Sequence, residues 1–195
     1  TYVNRSDALT VLFDGTTNVA GSVTATSFIG DGSQLTNLPS SSPFKYDESG
    51  GGIQSYSTAT GKYSFAVGYG ANSTNYYSIA MGSGTTASGE ASTAMGSGAT
   101  ASGNFSFAAA GHSEASGDYS IAMGCCAIAS GSDAIALGHE VSSSGMSSFA
   151  VGRGNYASGD TSIAIGAGTT ASGDYSTAFG SDTYADGYNT TAIGS

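Results

Sequence analysis

The two histidines and one pair of aspartates are the residues of this sequence best placed for catalysis. His112 and His139 lie among many serines, but a histidine activates a serine hydroxyl only when a buried carboxylate orients the imidazole. Asp160 and Asp174 recur at one interval. Two carboxylates hydrolyse a glycosidic bond when they face each other about 5 to 10 Å apart in a cleft. We expect this pair on an exposed turn edge, so the sequence predicts no enzyme.

A cluster of three charged or titratable residues could bind a ligand rather than catalyse a reaction. His139 and Glu140 are adjacent, and Arg153 follows His139 by 14 residues. In a chain that repeats with this period, Arg153 would stack one coil beyond His139. One interpretation is a surface ion pair, which contributes under about 1 kcal/mol. The other interpretation is a patch that binds a sugar bearing a carboxylate.

Aromatic residues near polar groups extend this second interpretation. Sugar rings stack their C–H faces on aromatic side chains, while their hydroxyls exchange hydrogen bonds with neighbouring polar groups. The alternative is that these residues are solvated loop positions, because most polar and aromatic surface residues have no ligand. The ligand-binding candidates are His139, Glu140, Arg153, Tyr156, Tyr184 and Tyr188.

The two cysteines, Cys125 and Cys126, are neighbours. Adjacent side chains of a strand point to opposite faces, so a disulfide between these two would be strained. No CxxC motif or spaced histidine accompanies them. We interpret them as small packing residues, a role that cysteine often has in cores. The sequence predicts no metal and no cofactor.

Composition and charge exclude several classes of protein. Of the 195 residues, 31 are glycine and only 9% are charged, against about 25% in an ordinary soluble domain. The net charge of −10 with four cations disfavours nucleic acids and anionic membranes as partners, since both bind clustered Lys and Arg. No apolar run approaches the ~20 residues of a membrane-spanning helix. The sequence ends within a repeat at Ser195, so we expect a fragment whose export signal and anchor lie elsewhere.

An uninterrupted 14-residue repeat organises most of the chain. Its units start at residues 59, 73, 87, 101, 115, 129, 143, 157, 171 and 185. Position 8 is always Ala, and positions 3 and 10 are Gly with one exception each, Asn75 and Ala110. Asn tolerates positive φ better than other non-glycine residues, so we expect a left-handed turn at position 3.

The alternation of small and apolar residues around position 8 predicts a strand. Fourteen residues are enough for two short strands and two turns, so we expect each repeat to form one coil of a solenoid. Positions 7 and 9 hold pairs such as Ile135 and Leu137. We expect these apolar residues to fill a thin interior. Position 8 would then lie on the outer face, where only close approach of another backbone explains a pure alanine stripe. Cyclic symmetry would bring this stripe of each chain to a common axis. The predicted trimer-interface stripe is Ala66, Ala80, Ala94, Ala108, Ala122, Ala136, Ala150, Ala164, Ala178 and Ala192.

The recurring S-x-A-x-G and A-S-G motifs of residues 120–131 and 162–173 resemble the head repeats of YadA-like trimeric autotransporter adhesins. The resemblance covers residues 59–195. It implies an all-β fold, a trimeric left-handed parallel β-roll, in which each coil has 14 residues. It also implies a homotrimer, an extracellular location at the cell surface and adhesion to a surface ligand.

The preceding residues differ from the repeat. Residues 21–39, GSVTATSFIGDGSQLTNLP, resemble a segment of phage tail fibres and of tail-fibre-like bacterial surface proteins. We therefore predict a tail-fibre-like β module in residues 1–39 and a linker into the roll in residues 40–58. Such a mosaic resembles the trimeric adhesive fibres of predatory bacteria.

The predicted function is attachment to a cell surface through a glycan or another envelope or matrix component. Two alternatives share most of this sequence evidence. The segment could be a structural shaft that spaces a tip located elsewhere, or the receptor-binding fibre of a phage. A compact ligand site would favour the adhesin, and a uniformly inert surface would favour the shaft.

Overall fold

A computed structural model describes residues 56–195. The predicted tail-fibre-like module of residues 1–39 and all but the end of the predicted linker lie outside the described residues. The strands alternate along the chain between two sheets. Strands with even numbers form the wide sheet, and strands with odd numbers form the narrow sheet.

The wide sheet contains strands of up to five residues, at repeat positions 7 to 11. They are β2 (Phe65–Val67), β4 (Ile79–Ser83), β6 (Thr93–Ser97), β8 (Phe107–Gly111), β10 (Ile121–Met123), β12 (Ile135–His139), β14 (Phe149–Arg153), β16 (Ile163–Ala167), β18 (Thr177–Ser181) and β20 (Thr191–Gly194). The narrow sheet contains two-residue strands at positions 14 and 1. They are β1 (Thr58–Ala59), β3 (Asn72–Ser73), β5 (Thr86–Ala87), β7 (Thr100–Ala101), β9 (Glu114–Ala115), β11 (Ile128–Ala129), β13 (Ser142–Ser143), β15 (Tyr156–Ala157), β17 (Thr170–Ala171) and β19 (Tyr184–Ala185).

Both sheets have ten parallel strands, each paired with the strand two elements later in the chain. The partners are equivalent residues of successive repeats, such as Ala122 with Ala136 and Ala136 with Ala150. Each repeat is therefore one coil of a parallel β-solenoid, which confirms the predicted all-β fold with 14-residue coils.

The interior contains small side chains. Nine of the ten position-8 alanines, from Ala66 to Ala178, are 0% exposed, and Ala192 in the last coil is partly buried against the same core. Position 1 of the narrow sheet, mostly alanine, is also buried, as are the serines at position 6 except Ser64 in the first coil. Residues 7 and 9 of each repeat are at least partly exposed.

Two sequence predictions are therefore wrong. The ten alanines cannot form a surface at which chains meet, because the single chain already encloses them. The large apolar residues do not fill the interior, because a coil of two short strands encloses too little space for them. The alternation does correspond to a strand, but position 8 lies on its inner face and positions 7 and 9 lie on its outer face.

Glycine at position 3 is required by the contact between coils. A Cβ on Gly131 would lie well inside van der Waals contact of the carbonyl oxygen of Gly145 in the next coil. Asn75 and the glycines at this position do not have positive φ, so the predicted left-handed turn there is wrong. Left-handed residues occur instead at position 5, as at Tyr77 with φ 55°, and at positions 10 and 12.

This contact gives a stability prediction. We expect Gly131→Ala to lower the free energy of unfolding by about 1–3 kcal/mol, since the new methyl group would force two backbones apart. Gly111→Ala is the matched control, because a Cβ there meets nothing within 4 Å. Thermal unfolding followed by circular dichroism compares the two variants. Equal melting temperatures would contradict the account of the coil contact.

Candidate functional site

The outer face of the wide sheet carries large apolar side chains along the described solenoid. Its side chains come from positions 7 and 9 of successive coils, and none of them is buried in the single chain. Met123 and Phe179, for example, are 44% and 52% exposed. We call this surface the apolar face. It comprises Phe65, Val67, Ile79, Met81, Met95, Phe107, Ile121, Met123, Ile135, Leu137, Phe149, Val151, Ile163, Ile165, Phe179 and Ile193.

The outer face of the narrow sheet differs in character. Its strands expose position 14, which is a polar residue or tyrosine in nine of the ten described coils, as at Thr58 and Tyr156, and purely apolar only at Ile128. Soluble monomers rarely expose a contiguous apolar patch of more than a few hundred Å², and a larger one marks an interaction surface. The contrast between the two faces therefore singles out the apolar face as an interaction surface.

An open groove of about 280 Å³ lies at the edge where the wide sheet turns towards the narrow sheet. Its lining consists of Glu140, Arg153, Gly154, Ala167, Gly168, Ser181 and Asp182. These residues occupy positions 11 and 12 of four successive coils. We call it the Arg153 groove.

Glycines at position 12 shape this groove. Position 12 lies in a left-handed turn, where Gly154 and Gly168 have φ of 64° and 69°. A Cβ on Gly154 would meet nothing within 4 Å. The coils on either side place Glu140 and Asp182 at the same position. A Cβ on Gly168 would lie 2.5 Å from Oδ1 of Asp182, so the Asp182 carboxylate covers that glycine and the open space is the one at Gly154, next to Glu140.

The groove combines one cation with two anions. Arg153 is exposed and forms no ion pair within the part of the chain that the structure describes, where His139 Nδ1 and Glu140 Oε2, 3.6 Å apart, make the one salt bridge. The register pairs His139 with Arg153 in adjacent strands. An unpaired guanidinium offers donors for a carboxylate, and carboxylates accept hydrogen bonds from hydroxyls.

The structure brings together only half of the predicted ligand-binding residues. His139, Glu140 and Arg153 are neighbours at the Arg153 groove. Tyr156 and Tyr184 lie on the outer face of the narrow sheet, separated by the coil of Thr170. Tyr188 lies at the opposite edge, with its ring 5.6 Å from that of Tyr175. The six residues therefore do not form one site.

The cysteines do not pack inside the solenoid. Cys125 and Cys126 are both exposed free thiols, so the prediction of small packing residues is wrong. Their Sγ atoms are 3.3 Å apart. This hydrogen bond is the largest cause that raises the pKa of Cys126 above its ordinary value, and the charge of Glu140 adds to it. A raised pKa leaves less of the nucleophilic thiolate.

A ladder of aromatic side chains was missed in the sequence. Position 5 holds Tyr63 and Tyr77, whose rings stack with centroids 5.3 Å apart. Phe105 and Tyr119 stack in the same way at 5.1 Å. The signal was an aromatic residue recurring at the 14-residue interval, in a turn position that we did not assign to the outer surface.

Asp160 and Asp174 have a structural role in the same turn. Oδ1 of Asp174 accepts a hydrogen bond from the backbone N–H of Asp160 at 3.0 Å, and Asp160 accepts one from Met146 at 2.9 Å. Each carboxylate thus links its coil to the preceding one by a hydrogen bond.

Within residues 56–195, no group of three or more His, Cys, Asp or Glu side chains could hold a metal ion. No helix in that part of the chain is long and apolar enough to cross a membrane.

Comparison with protein families identifies the repeat. The model of the YadA head domain repeat, which spans two copies, matches eight segments, of which the last six overlap successively: residues 59–85, 87–109, 111–125, 115–140, 129–155, 143–169, 157–183 and 171–195. These segments cover more than half of the chain, so the chain belongs to the YadA head domain family. No curated protein sequence matches the chain.

Membership in this family defines the class of protein. YadA head domains are surface-exposed parts of trimeric outer-membrane adhesins, and they are not enzymes. The chain is accordingly a non-enzymatic adhesin segment located at the cell surface. The family matches begin at residue 59, so they do not extend to the predicted tail-fibre-like segment of residues 21–39.

Proposed function

We propose that this chain forms a homotrimeric adhesin head that attaches a cell to another surface by binding glycans. The observation that carries the proposal is the apolar face, which a single chain leaves uncovered along the whole solenoid. A stiff rod of this kind presents its remaining faces and edges to ligands at a distance from the cell.

The apolar face supports the trimer for a simple reason. Its side chains repeat with the coil, so copies related by a rotation axis parallel to the solenoid present the same ladder to one another at every coil. Such an interface removes the large apolar residues from water and leaves the more polar face of the narrow sheet outside. Family adhesins are trimeric, and three copies around one axis therefore account for this surface.

The Arg153 groove is the proposed ligand site with the clearest chemistry. Its free guanidinium suits the carboxylate of an acidic sugar, and Glu140 and Asp182 can accept hydrogen bonds from that sugar's hydroxyls. His139 stands beside Glu140 and, when protonated, offsets part of its charge. Tyr156, Tyr184 and Tyr188 are secondary candidates, since each exposes more than half of its surface.

Binding to immobilised glycans tests the proposal. We expect the purified trimer to bind a class of glycans that carry a carboxylate, and Arg153→Ala to reduce this binding at least tenfold because the cation is removed. Asp160→Asn, which changes the net charge by the same amount with the opposite sign at the opposite edge, is the control and should bind as the wild type does.

Three outcomes would contradict parts of the proposal. Equal binding by the wild type and Arg153→Ala would exclude the groove. A well-formed trimer that binds no glycan would favour the spacer shaft, with recognition elsewhere in the parent protein. Binding only to a bacterial surface molecule that a phage uses as its receptor would favour the phage-fibre alternative.

A further inference from the structure

We infer that the aromatic ladder at repeat position 5 contains a binding slot for one pyranose ring, located above Ala91 between Tyr77 and Phe105. The inference deepens the proposed function, on which it rests, by naming a second glycan site and the sugar unit that it holds. It depends on stacking rather than on charge, so this site and the Arg153 groove can be tested separately.

Five successive coils carry the ladder, and its central coil lacks a ring. Tyr63 and Tyr77 stack below it with an angle of 17° between their planes, and Phe105 and Tyr119 stack above it at 4°. The equivalent residue between the two pairs is Ala91, which is half-buried. In the other described coils, position 5 is Asp133, Ser147, Thr161, Tyr175 and Asn189. None of the smaller residues in that list has an aromatic ring at position 5 of both adjacent coils.

The backbone holds the spacing of the ladder. The N–H of Ala91 donates to the carbonyl oxygen of Tyr76 at 2.8 Å, and the N–H of Phe105 donates to that of Glu90 at 2.7 Å. Tyr77 and Ala91 also have nearly the same φ, 55° and 52°. The turn therefore continues unchanged through the coil without a ring.

The size of the gap follows from this regularity. Coils repeat at the strand spacing of about 4.8 Å, so Tyr77 and Phe105, two coils apart, have their rings about 10 Å apart. A ring placed midway would lie about 5 Å from each neighbour, which is within the range of stacked rings. The ring-sized space above Ala91 thus has an aromatic wall on each side.

The surroundings favour a sugar over a flat aromatic ligand. Tyr77 is 56% exposed and Phe105 is 51% exposed, so the slot opens to water and a bound ring keeps its rim hydrated. Glu90 lies beside the slot and is exposed. Its carboxylate has no hydrogen-bond or ion-pair partner among residues 56–195, and a carboxylate accepts hydrogen bonds from hydroxyls. A pyranose has apolar C–H faces that can stack on the two aromatic rings, and hydroxyls around its rim that can reach water and the Glu90 carboxylate.

Filling the slot tests the inference. Ala91→Tyr would continue the ladder. Tyr77 and Tyr119 have φ of 55° and 58°, close to the 52° of Ala91, so the backbone there accepts a tyrosine. Ser147→Tyr is the matched control, because it adds the same ring at position 5 where no ring lies in either adjacent coil. The probe is a panel of methyl pyranosides of glucose, galactose, mannose and N-acetylglucosamine, measured by saturation-transfer NMR on the trimer.

We expect at least one pyranoside to bind the wild type and Ser147→Tyr equally, and Ala91→Tyr to bind it at least tenfold more weakly. Phe105→Ala removes one wall and should weaken the same probe, which keeps the test valid if Ala91→Tyr folds poorly. Equal binding by the wild type, Ala91→Tyr and Phe105→Ala would overturn the inference. So would the absence of any pyranoside binding, or a preference for indole over every pyranoside. Acidic-glycan binding that persists in Ala91→Tyr and disappears in Arg153→Ala would leave the proposed function intact.

Discussion

Replacing Ala136 with arginine is expected to abolish folding of the central coils. Ala136 is 0% exposed in the single chain, between Ala122 and Ala150 of the adjacent coils. The interior has neither space for the arginine stem nor a partner for its charge, and an unpaired buried charge is among the most destabilising changes. We expect the free energy of unfolding to fall by more than about 4 kcal/mol.

Circular dichroism and limited proteolysis measure this loss. Ala167→Arg is the matched control, because Ala167 is exposed and pairs in register with Arg153, so the wide sheet already accommodates an arginine there. We expect the control to retain the β signal and resistance to protease. A folded Ala136→Arg variant would contradict the assignment of position 8 to the interior.

The neighbouring substitution Ile135→Asp is expected to dissociate the proposed trimer without unfolding the solenoid. Ile135 lies on the apolar face and remains partly exposed in the single chain. Three aspartates brought together in an apolar interface would repel one another and lose hydration. The single chain, in contrast, keeps this side chain in contact with water, and surface substitutions usually change stability by about 0.5 kcal/mol or less.

Sedimentation and circular dichroism distinguish these two effects. Ser142→Asp, on the outer face of the narrow sheet, is the control and should remain trimeric. An Ile135→Asp variant that stayed trimeric would place the interface elsewhere. A variant that lost its β signal together with its trimeric mass would mean that the coil needs its neighbours in order to fold.

The repeat alone was sufficient to predict the coil. The invariant 14-residue interval fixed which residues pair, as Ala122 with Ala136, and the alternation fixed the strand. Alternation defines two faces but does not say which one is enclosed. Large apolar residues usually lie inside, and that rule failed for Ile135 and Leu137 because the space between two short strands encloses no side chain larger than those of Val141 and Asn155.

The candidate sites were predicted in part for a similar reason. The interval placed His139 and Arg153 in adjacent coils, which the register confirms. The groove itself depends on the space that Gly154 leaves and on the Asp182 carboxylate that covers Gly168, and the sequence does not show which way an exposed side chain turns. The slot above Ala91 was missed because the positive φ at position 5 was not expected for tyrosine and phenylalanine.

The mass of the full chain in solution tests the central claim most directly. The claim is that copies of the chain cover the apolar face, and multi-angle light scattering measures the number of copies without a variant or a ligand. The account predicts three times the 19.0 kDa chain mass, independent of concentration. A monodisperse 19.0 kDa species with the full β signal would contradict it.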